Sequence, residues 1–209
     1  MKIIKCEQGS EQWQQLRVGL PTASQVDKII SPKKLQPSSQ ATTYRNQLLA
    51  EWLCGHPIDW SGQSQWMERG QEMEGPAREW YAFTRDIEVE QVGFIMRDDE
   101  KFGGSPDGLI GDDGVLEIKC PALHTFLGYL IEPHTLAEKY AGQVQSYLML
   151  TGRAWADIVA YNPDLPSVVV RIERDERYIG ALGKALDAFI AHLDAAKDKL
   201  AAHKVRAAA

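Results

Sequence analysis

The sequence predicts an α/β protein in which helices flank a small mixed β-sheet. Apolar residues recur at helical spacing before residue 84 and in several segments after residue 121, and they follow strand spacing between residues 87 and 120 and again at 155–161 and 168–173. With 209 residues, 44% of them hydrophobic and 25% charged, the chain is long enough to bury a core. It contains no internal repeat and no interdomain linker, which predicts a single domain over residues 1–209.

The N-terminal part predicts two short helices. Ser10 is placed to cap a helix that carries Trp13 and Leu16. A second helix begins at Thr22 and carries apolar residues at helical spacing until Pro32 ends it. We therefore expect N-terminal helices ahead of the sheet.

The rest of the chain is predicted to form five helices and five strands. Helices are predicted near residues 42–53, 65–84, 122–130, 136–150 and 175–202, and strands near residues 87–96, 102–110, 115–120, 155–161 and 168–173. The strand over residues 87–96 needs a register slip to keep its apolar residues aligned. Gly75 and Pro76 predict a kink or a break in the helix of residues 65–84. Residues 112–114 form a tight turn between two strands.

The overall charge is acidic. With 23 Lys and Arg against 29 Asp and Glu, the net charge is −6, which argues against a polybasic surface for membranes or for nonspecific nucleic-acid binding. A function on nucleic acid would need locally concentrated positive charge. The loop of residues 31–39 is one such place, because it carries Lys33 and Lys34 and its two prolines favour exposure.

Neither a membrane segment nor a disulfide framework is expected. No apolar run approaches the ~20 residues needed to cross a bilayer, and the N-terminus lacks the apolar core of a signal peptide. Cys6, Cys54 and Cys120 are odd in number and far apart, so we expect reduced, buried thiols. These observations favour a soluble, cytoplasmic protein.

The segment with the clearest chemistry contains Asp107 and, ten residues later, Glu117, Ile118 and Lys119. In a strand over residues 115–120, Glu117 and Lys119 share one face while Ile118 points into the core. The preceding hairpin brings Asp107 beside Glu117. Two carboxylates and the Ile118 carbonyl then offer hard oxygen ligands to Mg²⁺ or Mn²⁺. Lys119 can orient a water or balance charge, and together these groups are suited to metal-dependent phosphodiester hydrolysis.

The same residues allow other interpretations. Two strand carboxylates and a lysine are also typical of a solvated sheet face with surface ion pairs. Asp112 and Asp113 precede a glycine, which favours turn formation over metal binding. The pattern of a calcium loop fails after Asp107.

Residues on two helices strengthen the functional interpretation. Glu74 lies on the helix before the sheet, with Arg78 one turn beyond it. Gln143 and Tyr147 are four residues apart on a later helix and therefore share a face. Each of these residues alone is typical of a surface or structural position, and it is their combination and order that points to a site.

The order of helix glutamate, Asp107, Glu-x-Lys and Gln-x-x-x-Tyr resembles the PD-(D/E)XK nuclease superfamily. Further segments are similar to the lambda exonuclease or YqaJ-type viral recombinase family, from about Gln8 to the C-terminal helix. These segments are Gly9-Ser10-Glu11-Gln12-Trp13, Leu16-Arg17-Val18-Gly19, Thr22-Ala23-Ser24, Ser105-Pro106-Asp107-Gly108-Leu109, Leu116-Glu117-Ile118-Lys119-Cys120-Pro121, Gln143-Val144-Gln145 and Ile172-Glu173-Arg174-Asp175-Glu176.

The resemblance implies a restriction-endonuclease-like core and a metal-dependent exonuclease. Such an enzyme would degrade the 5′-ended strand of linear double-stranded DNA to mononucleotides, leaving 3′ single-stranded DNA for recombination by strand annealing. It further implies two Mg²⁺ ions per site, with Mn²⁺ as a substitute, and a phage or prophage protein acting in the bacterial host cytoplasm.

Matching residues receive roles through this resemblance. Asp107 and Glu117 would bind metal together with the Ile118 carbonyl. Lys119 would activate the nucleophilic water, and Glu74 would hold metal or water.

Other matching residues are implied to orient the site or bind the DNA end. Gln143 would orient the metal site. A pocket for the terminal 5′ phosphate would use Arg17, with Ser24 and Ser105 as hydroxyl donors. Arginine suits this task because its planar fork binds two phosphate oxygens.

The resemblance also implies a ring-shaped homotrimer that encloses the duplex, which would explain processive action, and a single-strand annealing protein as partner. Lys33 and Lys34 are candidate channel or rim contacts, or plain solvated loop residues. Trp66 and Met67 are candidates for an apolar wedge that separates the terminal base pairs, or for helix core.

Three alternatives remain. The chain could be another nuclease of the superfamily, such as a RecB-like repair nuclease or a site-specific endonuclease. It could be a catalytically silent DNA-binding subunit, although Asp107, Glu117 and Lys119 are all present. A cysteine hydrolase using Cys120 is disfavoured, since Cys120 follows Lys119 and points to the opposite face.

Overall fold

The structure is a computed structural model that describes residues 1–60 and 65–207, with the side chains of residues 65–69, 71 and 202–207 left outside the description. The helices are α1 Glu11–Leu16, α2 Ala41–Cys54, α3 Gln65–Arg85, α4 Leu123–Ile131, α5 His134–Thr151 and α6 Glu176–Ala207, with a 3-10 helix at Ala23–Lys28. The strands are β1 Lys2–Ile4, β2 Val89–Glu90, β3 Phe94–Met96, β4 Gly103–Gly104, β5 Gly108–Ile110, β6 Gly114–Lys119, β7 Trp155–Ala160 and β8 Val168–Glu173.

The elements are distributed over two compact units, formed by residues 1–60, 93–104 and 175–209 and by residues 61–92 and 105–174. The first unit contains a three-stranded antiparallel sheet in the order β1-β3-β4. Its helices α2 and α6 pack together, with the rings of Tyr44 and Phe189 stacked at 5.6 Å.

The second unit contains a five-stranded mixed sheet in the order β2-β5-β6-β7-β8. Strands β6 and β7 are parallel, and the other neighbours are antiparallel. On one face, Ala77 and Tyr81 of α3 pack against Leu116 and Ile118 of β6. On the other face, α5 packs against the same sheet. The predicted class, a mixed sheet flanked by helices, is confirmed.

Most predicted elements are present with small shifts of their ends. Ser10 caps α1 as expected, its hydroxyl accepting a hydrogen bond from the Trp13 amide at 3.2 Å. Thr22 precedes a 3-10 helix without capping it through its side chain. The loop of residues 31–39 exposes Lys33 and Lys34. The hairpin between β5 and β6 turns at residues 111–113, one residue earlier than predicted, and Gly114 begins β6.

Two predicted strands are wrong because the chain changes sheets within them. Residues 87–96 form β2 and β3, which belong to different sheets. The chain passes Gly93 so closely to Cys6 that a Cβ there would lie 2.4 Å from the Cys6 carbonyl oxygen, which only glycine allows. Residues 102–110 likewise form β4 and β5, separated by Ser105, Pro106 and Asp107.

Two local expectations also need correction. Of the kink or break expected at Gly75 and Pro76, the break is absent, since α3 continues through Pro76, and the kink stays a prediction. Burial of Ala77 and Tyr81 against the sheet stabilises the turn that proline weakens. The three cysteines are free, as expected, but Cys54 is exposed and Cys6 and Cys120 are half-buried.

The described part of the chain contains no helix with the length and apolar content needed to cross a bilayer.

A buried hydrogen bond links α3 to the sheet, and its contribution to stability can be measured. The Tyr81 hydroxyl donates to Asp157 Oδ2 at 2.5 Å, while Arg171 donates to the same carboxylate at 2.8 and 3.0 Å. Tyr81→Phe removes one hydrogen bond to a buried charge, so we expect the free energy of unfolding to fall by about 1.5–3 kcal/mol. Urea unfolding of the variant measures this loss.

The pH dependence provides a second measurement of the same contact. Burial alone would raise the pKa of Asp157, but hydrogen bonds from Arg171 and Tyr81 hold it below its usual value. A lowered pKa stabilises the folded state above the unfolded pKa of about 3.9, and this stabilisation is lost in acid. The loss of unfolding free energy caused by Tyr81→Phe should therefore be smaller below about pH 4 than at neutral pH. Tyr161→Phe, at a half-buried tyrosine, is the control; an equal loss there would contradict the assignment.

Candidate active site

The candidate site lies where β6 extends beyond its neighbour β5. The pairing of these strands ends with Gly108 opposite Leu116. Asp107, the residue just before β5, donates its backbone N–H to the Leu116 carbonyl at 3.0 Å. Its carboxylate Oδ2 then accepts the Ile118 N–H at 2.5 Å. The aspartate side chain thereby continues the strand pairing and lies beside Glu117.

Glu117 and Lys119 project from one face of β6, as the sequence predicts. The Lys119 ammonium lies 2.5 Å from Glu117 Oε1, and the same oxygen accepts a hydrogen bond from Gln143 Nε2 at 2.6 Å. Ile118 points to the opposite face and belongs to the core cluster. Glu117 is only 2% exposed, so its charge depends on these two donors.

Gln143 is itself oriented by a neighbour on α5. Its second amide hydrogen bond reaches the Tyr147 hydroxyl at 2.8 Å, and that hydroxyl donates to the Ser105 carbonyl at 3.1 Å. The chain of hydrogen bonds therefore runs from the segment before β5, through α5, to Glu117. The predicted shared face of Gln143 and Tyr147 is confirmed.

Helix α3 contributes Glu74 and Arg78 to the site. Arg78 Nε donates to the Asp107 carbonyl at 2.8 Å, which ties the helix to the segment before β5. Glu74 is half-buried, and burial together with the nearby charge of Asp107 raises its pKa to about 7. The arrangement brings Glu74 into the electrostatic field of the Asp107 and Glu117 carboxylates.

The buried carboxyls have strongly perturbed proton affinities. Burial, with the charges of Asp107 and Glu74, raises the pKa of Glu117 to about 8 despite the opposing effect of Lys119. Burial also raises the pKa of Asp107. For Lys119, burial acts to lower the pKa, but the charges of Glu117 and Asp107 outweigh it and raise the pKa. Such clustering of perturbed groups is typical of functional sites.

The donor set fits a hard divalent cation. Glu117 Oε2 is buried without a hydrogen-bond partner among the described residues, so one carboxylate oxygen is available. The Ile118 carbonyl lies on the strand edge that faces Asp107, because its own N–H bonds the Asp107 side chain.

The described side chains contain no group of three His, Cys, Asp or Glu that could hold a metal ion by themselves. Mg²⁺ is usually bound through one or two carboxylates and retains several waters, so Asp107, Glu117 and the Ile118 carbonyl suffice as its protein ligands. Asp112 and Asp113 are exposed in the hairpin turn, as expected for turn residues.

The residues predicted for the 5′-phosphate pocket belong to different units. Arg17 ends α1 in the first unit, with its guanidinium carbon 4.0 Å from the Trp13 ring centre. Ser24 is exposed in the 3-10 helix of the same unit, its hydroxyl 3.4 Å from that of Thr22. Ser105 precedes β5 in the second unit. The pocket formed by these three residues stays a prediction.

The remaining DNA contacts also stay predictions. Lys33 and Lys34 are exposed in the loop after the 3-10 helix. Trp66 and Met67 fall in the first turns of α3, and their side chains lie outside the described residues.

Tyr140 is a site residue that the sequence reasoning missed. Its ring centre lies 4.8 Å from the Lys119 ammonium, within the range of a cation–π contact. Tyr140 precedes Gln143 by three residues on α5, so helical spacing could have indicated that both face the site.

Residues 12–154 match the family described as the YqaJ-like viral recombinase domain. The chain is similar to an alkaline exonuclease from Laribacter hongkongensis, LHK-Exo, with a TM-score of 0.83 and 33% identity, covering 94% of this chain and 99% of that chain. The same figures apply to the crystal structure of LHK-Exo in complex with dAMP.

A phage-related exonuclease from Haemophilus somnus 129PT has a TM-score of 0.70 with 18% identity, covering 87% of this chain and 96% of that chain. At this identity the similarity concerns the fold alone. The neighbours support the restriction-endonuclease-like fold of the chain. Curated proteins give no significant match.

Proposed function

The chain belongs to the YqaJ-like viral recombinase domain family, and from this membership and the site at β6 we propose that it is a metal-dependent 5′-to-3′ exonuclease. It would degrade the 5′-ended strand of linear double-stranded DNA to mononucleotides. The 3′ single strand left behind would serve recombination by strand annealing. Family membership supports the phage-type exonuclease class, and polarity, metal dependence and products belong to the proposal.

One observation carries the proposal. Asp107 and Glu117 lie side by side where β6 extends beyond β5, with Lys119 at 2.5 Å from Glu117. The second Glu117 oxygen has no hydrogen-bond partner in the part of the chain that the structure describes. A solvated sheet face with surface ion pairs would expose these groups, whereas Asp107 is 6% exposed and Glu117 2%. Burying acidic groups costs free energy, which favours a catalytic reason for keeping them.

Each residue has a role that its contacts support. Asp107, Glu117 and the Ile118 carbonyl would hold Mg²⁺, or Mn²⁺ in its place, and Glu74 would hold a second ion or a water. Bound Mg²⁺ would supply Lewis-acid stabilisation of the phosphodiester and a more acidic water. Lys119 would orient the attacking water and balance the charge that develops on the phosphate.

The hydrogen-bonded helices would keep this arrangement in place. Gln143, oriented by Tyr147, would hold the Glu117 carboxylate in place through its 2.6 Å hydrogen bond. Arg78 would hold the backbone of Asp107. The mononucleotide product is supported by the related LHK-Exo, whose structure has been solved in complex with dAMP.

The family resemblance extends the proposal beyond the site. Arg17, Ser24 and Ser105 would bind the terminal 5′ phosphate, and Met67 with Trp66 would separate the terminal base pairs. Lys33 and Lys34 would contact DNA in the channel of a homotrimeric ring. A single-strand annealing protein would take over the 3′ strand in the bacterial host cytoplasm.

The first prediction from the proposed function concerns strand polarity. With Mg²⁺ and linear duplex DNA labelled on one strand, the protein should release mononucleotides from the 5′-ended strand alone and leave a closed circle intact. Lys119→Ala should reduce the rate about 100-fold or more, because it removes a charged donor from the reacting centre. Gel electrophoresis and chromatography of the products measure both effects.

Asp112→Asn, at an exposed acid of the hairpin turn, is the matched control and should retain the wild-type rate. Discrete cuts in the circle would show an endonuclease instead. Intact DNA under Mg²⁺ and Mn²⁺ would favour a silent DNA-binding subunit.

The second prediction concerns the DNA end. Wild-type protein should degrade 5′-phosphorylated duplex faster than 5′-hydroxyl duplex, and Arg17→Gln should lower this ratio about tenfold or more by removing a bidentate contact to phosphate. Arg177→Gln, at an exposed arginine of α6, is the control. A preference that survives Arg17→Gln would place the phosphate elsewhere.

The third prediction concerns metal binding. Millimolar Mg²⁺ should raise the unfolding temperature of the wild type, because the ion binds the folded state and neutralises the buried carboxylates. The shift should be lost in Asp107→Asn and kept in Asp112→Asn, as followed by thermal unfolding in titrations with Mg²⁺ and with EDTA. An equal shift in both variants would contradict the ligand assignment.

A further inference from the structure

Two lysines and two tyrosines lie together at the end of β6, and of these only Lys119 has a role in the chemistry proposed above. Lys119 ends β6, Tyr129 belongs to α4, and Lys139 and Tyr140 belong to α5. We call Tyr129, Lys139 and Tyr140 the Lys139 corner.

The Lys139 ammonium lies against two tyrosine rings. It lies 5.3 Å from the ring centre of Tyr140 and 5.9 Å from that of Tyr129. Both distances fall within the range of cation–π contacts, which orient an exposed lysine without neutralising it. Burial acts to lower the pKa of Lys139, but the phenol groups of Tyr129 and Tyr140 outweigh this and raise it. Lys139 thus presents a full positive charge at the surface.

The ammonium groups of both lysines lie near the Tyr140 ring. The Lys119 ammonium lies 4.8 Å from its centre, and the Lys139 ammonium 5.3 Å. Lys119 is paired with Glu117, whereas Lys139 is exposed. Two like charges around one ring repel each other, and an anion bound beside Lys139 would relieve that repulsion.

Tyr129 also contacts Lys139, from the side of α4. It is 5% exposed, and its hydroxyl acts together with that of Tyr140 to raise the pKa of Lys139. The Lys139 ammonium therefore stays charged, and it only donates hydrogen bonds. These properties favour a ligand that accepts hydrogen bonds and carries negative charge.

We propose that the Lys139 corner binds a backbone phosphate of the DNA strand, next to the phosphodiester that lies at Lys119. The phosphodiester group has both properties, since it is anionic and its free oxygens only accept hydrogen bonds. Consecutive phosphates along one strand would then be held by Lys119 and Lys139 around the shared Tyr140 ring. This assignment rests on the proposed nuclease function, because it takes the strand being cut as the ligand.

The test measures DNA binding without cleavage. Fluorescence anisotropy in EDTA would give the dissociation constant of a labelled 5′-phosphorylated duplex over a series of NaCl concentrations. Wild type, Lys139→Gln and Lys139→Arg are compared. Lys184→Gln, at an exposed lysine of α6, removes the same charge as a matched control.

Loss of one phosphate contact should weaken binding of all sequences alike and reduce the slope of log affinity against log salt by about 1. We expect this for Lys139→Gln, a slope near that of the wild type for Lys139→Arg, and no change for Lys184→Gln. A wild-type slope in Lys139→Gln, or an equal loss in Lys184→Gln, would overturn the assignment.

Parallel cleavage assays in Mg²⁺ separate this inference from the proposed function. If the wild type cuts linear DNA but Lys139→Gln keeps the wild-type salt slope, the Lys139 corner is wrong and the nuclease stands. If the slope falls although the wild type cuts no DNA, Lys139 contacts a DNA phosphate, but the exonuclease, and with it the placement next to a strand being cut, is wrong. If the wild type binds no DNA, both are wrong.

Discussion

The candidate site depends on one hydrogen bond, from the Ile118 amide to the Asp107 carboxylate at 2.5 Å. Strand β6 continues beyond β5, so its edge would otherwise present unpaired backbone groups. Asp107 satisfies the exposed amide with its side chain, and this places its carboxylate beside Glu117. This hydrogen bond therefore completes the pairing at the strand edge, and it also brings the Asp107 and Glu117 carboxylates together.

The acidic pair is stable only because the surrounding elements supply donors. Burial raises the pKa of Glu117 to about 8, and Lys119 opposes this effect. Lys119 and Gln143 both donate to the same Glu117 oxygen. The other oxygen remains unpaired among the described residues. A site that is incompletely satisfied in the protein alone has a place for a cation, which is the state that the proposed activity requires.

The two faces of the sheet contribute in different ways. Helix α3 brings Arg78 to the Asp107 backbone and packs Tyr81 on the core face. Helix α5 lies on the opposite face and brings Gln143 and Tyr140 to Glu117 and Lys119. Because both helices are tied to the same short stretch of β6, small changes in their packing would move the functional groups.

The sequence by itself determined the α/β class, most helices, the strand of residues 115–120 and the grouping of Asp107, Glu117 and Lys119. Local spacing is sufficient there, because strand alternation and helical periodicity decide which side chains share a face. Only the tertiary structure decided that residues 87–96 divide between two sheets, that α3 continues through Pro76, and that Tyr140 and Lys139 lie beside Lys119. These features depend on contacts between residues far apart in the chain, whose energies override local propensity.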